Sequence, residues 1–132
     1  MEATPVMITV AGLGWNQTAT LEQAVLIVRA AMQTFSIQKI SRLAVPDFKK
    51  AEWQDKLAQT FQAELVAVPK PVLIQMQPLC LTHSGIVAAA TGVASSIAEA
   101  CALAAAGHRP VLYGARQVLG GVTCALAKGE GL

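Results

Sequence analysis

Ala90-Thr91-Gly92-Val93-Ala94-Ser95-Ser96-Ile97-Ala98-Glu99-Ala100 opens an alanine-rich stretch that ends at Gly107. Ser96 followed three residues later by Glu99 is a capping box, in which each residue satisfies an orphan N–H of the other, and it marks a helix start. The spacing predicts a helix from Ile97 to Ala106, stopped by Gly107. A small-residue loop runs into that start, so unpaired N–H groups would face whatever lies ahead, and such a site suits an anion. Capping alone accounts for the same residue types. Both readings stand at this point.

The segments around this helix alternate. Val6-Met7-Ile8-Thr9-Val10-Ala11 is rich in β-branched residues and reads as a buried first strand. Gly12 to Ala19 reads as the loop after it, and Thr20 with Gln23 forms another capping box. Leu21, Ala24, Val25, Val28, Ala31, Met32 and Phe35 recur at helical spacing. Ile40 to Val45 reads as a second strand ended by Pro46-Asp47, and Lys49 to Gln62 as a helix with Trp53, Leu57 and Phe61 on one stripe. Glu64 to Val68 is a third strand, stopped by Pro69-Lys70-Pro71. Val72-Leu73-Ile74 fits a further strand or a loop. Pro110 to Gly114 begins another strand, and Gly120-Gly121 turns into Val122 to Ala127. This order predicts a single-domain α/β layered fold with a mostly parallel sheet, helices on both faces and a C-terminal β-hairpin. Ligands of such sheets sit at the carboxyl ends of the strands. The loop at 12–20, Asp47 and the entrance to the helix at Ser96 are expected to share that edge.

Composition narrows the function. The chain has 132 residues, 54% of them hydrophobic and 14% charged, which fits one well-packed domain and argues against disorder. A net charge of +2 gives no electrostatic grip on nucleic acid but suits an acidic small molecule. Cys80, Cys101 and Cys124 are odd in number and form no Cys-x-x-Cys, so a reducing cytoplasm is the expected setting. Glu2 stands where a signal peptide carries basic residues, so no such peptide is expected. The stretch from 86 to 107 is mostly alanine and broken by Gly92, Ser95, Ser96 and Glu99, so no membrane span is expected. An apolar chain of this kind is compatible with a homodimer.

Several clusters are candidates for chemistry. Gly12-x-Gly14 after a strand resembles a nucleotide loop, but Gln17 replaces the third glycine and no Gly-Lys-Ser/Thr follows. A tight turn and an anion nest joined by Asn16 and Thr18 are the two readings. Asp47 with Lys49 and Lys50 reads as a solvated helix start or as polar contact with a ligand. Cys80-x-x-His83 has no second pair at metal-site spacing, and the sequence implies neither a metal nor a cofactor. His83 reads as a water-facing loop residue or a general base. Glu99, at a helix start near a ligand, can take or hand over a proton.

Three segments in register carry a family resemblance. Thr91-Gly92-Val93 with Ser96-Ile97-Ala98-Glu99-Ala100, Val10-Ala11-Gly12-Leu13-Gly14, and Gly120-Gly121-Val122-Thr123-Cys124-Ala125 resemble segments of the cobalamin-biosynthesis family of CobE and the C-terminal domain of CbiG, the cobalt-precorrin lactone hydrolase. Trp15-Asn16 departs from the more usual basic or cysteine-containing continuation of the glycine segment. The stand-alone CobE-like form is the nearer match.

The resemblance implies work on the corrin ring of vitamin B12. Precorrins carry acetate and propionate arms, so their rim is polyanionic. The expected ligand is a precorrin or corrin intermediate, held by Gly12, Gly14, Asn16, Thr18, Asp47, Thr91, Gly92, Ser95, Ser96 and Thr123. Lactone opening and transfer between enzymes are the two activities implied. A hydrolase would use Glu99 or His83 for proton transfer, with N–H groups at 12–14 and 92–96 facing the oxyanion. Two other readings are an interaction partner of pathway enzymes, docking through Ala100, Leu103 and Ala104, and a nucleotide-binding module.

Overall fold

Residues of the first strand alternate between two cores, and this alternation sets the layers. The computed structural model describes residues 6–82 and 96–131. Strand β1 (Ile8–Trp15) sends Val10 to one side of the sheet and Ala11 and Leu13 to the other. Helix α1 (Leu21–Thr34) and short helix α2 (Gln54–Thr60) cover the second side through Ala24, Val28, Leu57 and Ala58. Helix α4 (Ile97–Ala106) covers the first side, with α3 (Lys70–Gln75) packed on it through Leu73. Helices on both faces of one sheet are the layered α/β arrangement.

Strands β2 (Arg42–Pro46), β3 (Glu64–Val68), β4 (Val111–Leu112), β5 (Gln117–Leu119) and β6 (Val122–Gly129) complete the sheet. Its order is β3-β2-β1-β6-β4, with β5 also on β6. β1 is parallel to β2, and β2 to β3. β6 is antiparallel to β1, β4 and β5. Among the described strands, then, β6 is the reversed member and the rest share one direction. A hairpin turns at Gly120-Gly121 as expected, with Gly120 at φ +57°, but its first strand is β5; β4, in the run from Pro110, pairs with β6 separately, and β6 lies inside the sheet and not at its edge. Glycine adopts that left-handed conformation without a Cβ clash.

Local signals fix several elements. Thr20 accepts from the Gln23 amide at 3.2 Å, and the Gln23 side chain accepts from the Thr20 amide at 3.3 Å. The same Gln23 oxygen accepts from the Gly121 amide at 3.3 Å, which docks the hairpin turn on the start of α1. Other boundaries differ from expectation. β1 runs on to Trp15, so Gly12 and Gly14 lie in the strand and not in a loop. Val72-Leu73-Ile74 is helical, because Pro71 sits in the first turn of α3, where its missing N–H is harmless. α2 begins only at Gln54, after turns that follow β2.

The glycines of β1 and β6 have a packing cause. A methyl on Gly12 would run into the Ala98 carbonyl oxygen and the Ala102 amide, and one on Gly129 into the Ala106 carbonyl oxygen. The backbone of α4 therefore rests directly on the sheet. Ala98, Ala100, Ala102, Leu103 and Ala106 are all buried. A helix apolar around its circumference needs cover on all sides. The sheet and α3 provide it, so Ala100 and Leu103, two of the three residues of the alternative docking face, are core residues, and Ala104 is half-buried.

The cysteines belong to the same interior. All three are free and buried. Burial pushes the Cys124 thiol up to about 12. Burial also pushes Cys101 up, with Cys80 and then Asp47 adding to it.

Three outcomes follow from this packing. Gly12→Ala should cost about 2 kcal/mol or more, because the obstacle is backbone, whereas Gly14→Ala should change stability by under about 1 kcal/mol. The Gly14 methyl meets its nearest atom, the Ala98 amide nitrogen, at an ordinary 3.7 Å. Denaturant midpoints of the two variants check the contrast. Cys101 and Cys124 should resist a thiol reagent at pH 8 until denaturant is added. Their raised values also add stability that is intact below the ordinary thiol value of about 8.5 and lost as pH climbs above it. Melting temperatures recorded across that range check the sign.

Candidate functional site at the carboxyl edge

β1, β2 and β3 all end at one edge of the sheet, at Trp15, Pro46 and Val68. α4 runs antiparallel to β1. Its first turn lies near Gly14, and its last residue lies against Gly129, the partner of Ile8. The start of α4 therefore meets the carboxyl ends of the parallel strands. In open α/β sheets this is the edge where ligands bind.

Ser96 caps α4, its hydroxyl accepting from the Glu99 amide at 3.3 Å. The second half of the expected box is absent. The Ser96 amide donates to the Thr82 carbonyl at 2.9 Å instead. Glu99, fully buried, turns its carboxylate outward to other segments. Oε1 accepts from the amides of Leu81 at 3.0 Å and Thr82 at 2.8 Å. Oε2 accepts from the Thr82 hydroxyl at 3.1 Å and the Arg116 amide at 3.0 Å.

The expected glycine nest takes another form. Gly12 pairs with Ala44 and Ala125, and Gly14 with Thr123, so the backbone at 12–14 serves the ladder. Asn16 Oδ1 accepts from the Thr18 amide at 2.9 Å and the Thr18 hydroxyl at 2.7 Å. This turn lies against Gly121, whose carbonyl accepts from the Asn16 amide at 2.9 Å. Asn16 and Thr18 thus hold the hairpin turn at the edge. Thr123 is half-buried in β6, opposite both Gly14 and Val118.

Beyond β2 the chain is cationic and aromatic. Asp47 is exposed, and its amide donates to the Val68 carbonyl at 2.9 Å. Lys49 Nζ donates to the Trp15 carbonyl and lies 5.8 Å from the Trp15 ring centroid. Desolvation lowers the Lys49 pKa. The Trp15 and Trp53 rings meet edge to face at 5.2 Å. Lys70, which follows β3, lies 5.1 Å over the Phe48 ring.

The edge thus gathers Gly14, Asn16, Thr18, Asp47, Ser96 and Thr123. Gly12 lies under α4, away from the rim. His83, Thr91, Gly92 and Ser95 lie outside the described residues. Sequence reasoning missed Trp15, Phe48 and Lys70. Lysines placed just after two strand ends were the available signal. Among the described residues no cluster suits a metal ion. His108 is exposed past the far end of α4. No described helix is long and apolar enough to cross a membrane. A separate cleft of about 390 Å³, lined by Met32, Lys39, Ile40 and Phe61, lies beside the start of β2, at the opposite edge.

Comparison with known proteins points one way. The crystal structure of CobE, a protein from the cobalamin (vitamin B12) biosynthetic pathway, superposes with a TM-score of 0.86 at 24% identity, over 96% of this chain and 94% of that one. Cobalamin biosynthesis protein chiG from Agrobacterium tumefaciens is 30% identical with a TM-score of 0.71, over 91% of this chain and 97% of that one. A search of curated protein sequences returns no significant match. The family model described as cobalamin synthesis G C-terminus matches residues 9–127. The chain belongs to that cobalamin synthesis G C-terminal family, and its place is in cobalamin biosynthesis.

Proposed function

We propose that this chain binds a precorrin or corrin intermediate through its acid side arms at the carboxyl edge of the sheet. One observation carries the reading. Lys49 with the Trp15 ring and Lys70 with the Phe48 ring stand just past the ends of β2 and β3, at the edge where α4 starts, in a cobalamin-pathway family. Lysines and a helix start attract carboxylates. Aromatic side chains offer apolar surface to a flat macrocycle.

Binding and hand-over are better supported than lactone opening by Glu99. Both Glu99 oxygens are occupied by donors, and the side chain is shielded from solvent. A proton-transfer group must reach its substrate directly or through one water.

Absorbance titration with hydrogenobyrinic acid, a metal-free corrin with acid arms, tests the proposal. The band should shift on binding. Lys50→Gln and Lys70→Gln should each weaken binding by about two- to fivefold, the range of an exposed ion pair. That effect should fade as salt shortens the screening length. Lys39→Gln, beside the cleft at the opposite edge, should bind as the parent does. An unshifted band at high protein concentration would refute the reading.

A further inference from the structure

We infer that Glu99 is a positioning residue that sets the shape of the carboxyl edge for the ligand's acid arms; this rests on the binding reading above. The buried carboxylate ties three chain segments together. Leu81 and Thr82 come before α4, Glu99 lies in its first turn, and Arg116 lies just ahead of β5. A buried carboxyl group is costly unless its oxygens are hydrogen-bonded, and here three amides and a hydroxyl meet them. The Thr82 carbonyl already satisfies the Ser96 amide, which frees the Glu99 side chain from its usual return to the cap. The clasp therefore serves the neighbouring segments and not the helix end alone. It holds Arg116 beside the start of α4. Arg116 is half-buried and forms no ion pair among the described residues.

A glutamine at position 99 keeps the size of the side chain and one acceptor oxygen but replaces the other with a donor. Its amide group would face the Arg116 N–H as a second donor, and that contact would open. The test titrates hydrogenobyrinic acid against the parent chain, Glu99→Gln and Arg42→Gln, well below each melting temperature. Arg42 donates to the Ala105 and Gly131 carbonyls at the other end of α4, so its loss lowers stability away from the edge. Glu99→Gln should bind about tenfold more weakly, the effect of losing a hydrogen bond to a charged group, while Arg42→Gln binds as the parent does. Should Glu99→Gln fail to fold, Thr82→Val removes the bond from the Thr82 hydroxyl and should still weaken binding about threefold, the loss of a single hydrogen bond. A folded Glu99→Gln with parental affinity overturns the positioning role and leaves the binding reading intact. A parent chain that does not bind overturns both.

Discussion

The structure depends on the contact of one helix backbone with one sheet. α4 can lie where it does only because Gly12 and Gly129 carry no side chain beneath it. Its own underside is alanine, with Ala98, Ala102 and Ala106 at the contact. Close approach of this kind leaves no room for a methyl group, and interiors tolerate such additions poorly. The helix is thereby held with its first turn at the carboxyl ends of β1, β2 and β3.

That placement gives the edge its chemistry. Ser96 presents a capped helix start there, and the chain after β2 and β3 brings lysines and aromatic rings beside it. Glu99 links the helix start to Leu81, Thr82 and Arg116. On the other face, Gln23 and Asn16 dock the hairpin turn beside the end of β1. The glycine floor and this polar rim do different work. One fixes the helix axis, and the other fixes the segments around its end.

Signals confined to a few neighbouring residues were legible in the sequence. The Thr20/Gln23 box, the strand Glu64–Val68 and the helix Ile97–Ala106 all stand where local pattern places them. Features whose cause lies elsewhere in the chain were not. Gly12 reads as part of a loop because its role is contact with α4, far along the sequence. Pro69-Lys70-Pro71 reads as a stop, yet a proline that ends a strand can equally open a helix. Glu99 reads as half of a capping box, and its carboxylate partners come from both sides in sequence. Lys70 and Phe48 meet only once β2 and β3 pair.

The central claim is that an acid-armed corrin sits on the carboxyl edge. Mapping backbone amide chemical shifts during addition of hydrogenobyrinic acid tests it most directly. The account predicts shifts gathered at Trp15, Asp47 to Lys50, Lys70, Ser96 to Ala98 and Arg116. Shifts gathered instead around Lys39, Ile40 and Phe61, at the opposite edge, would contradict it.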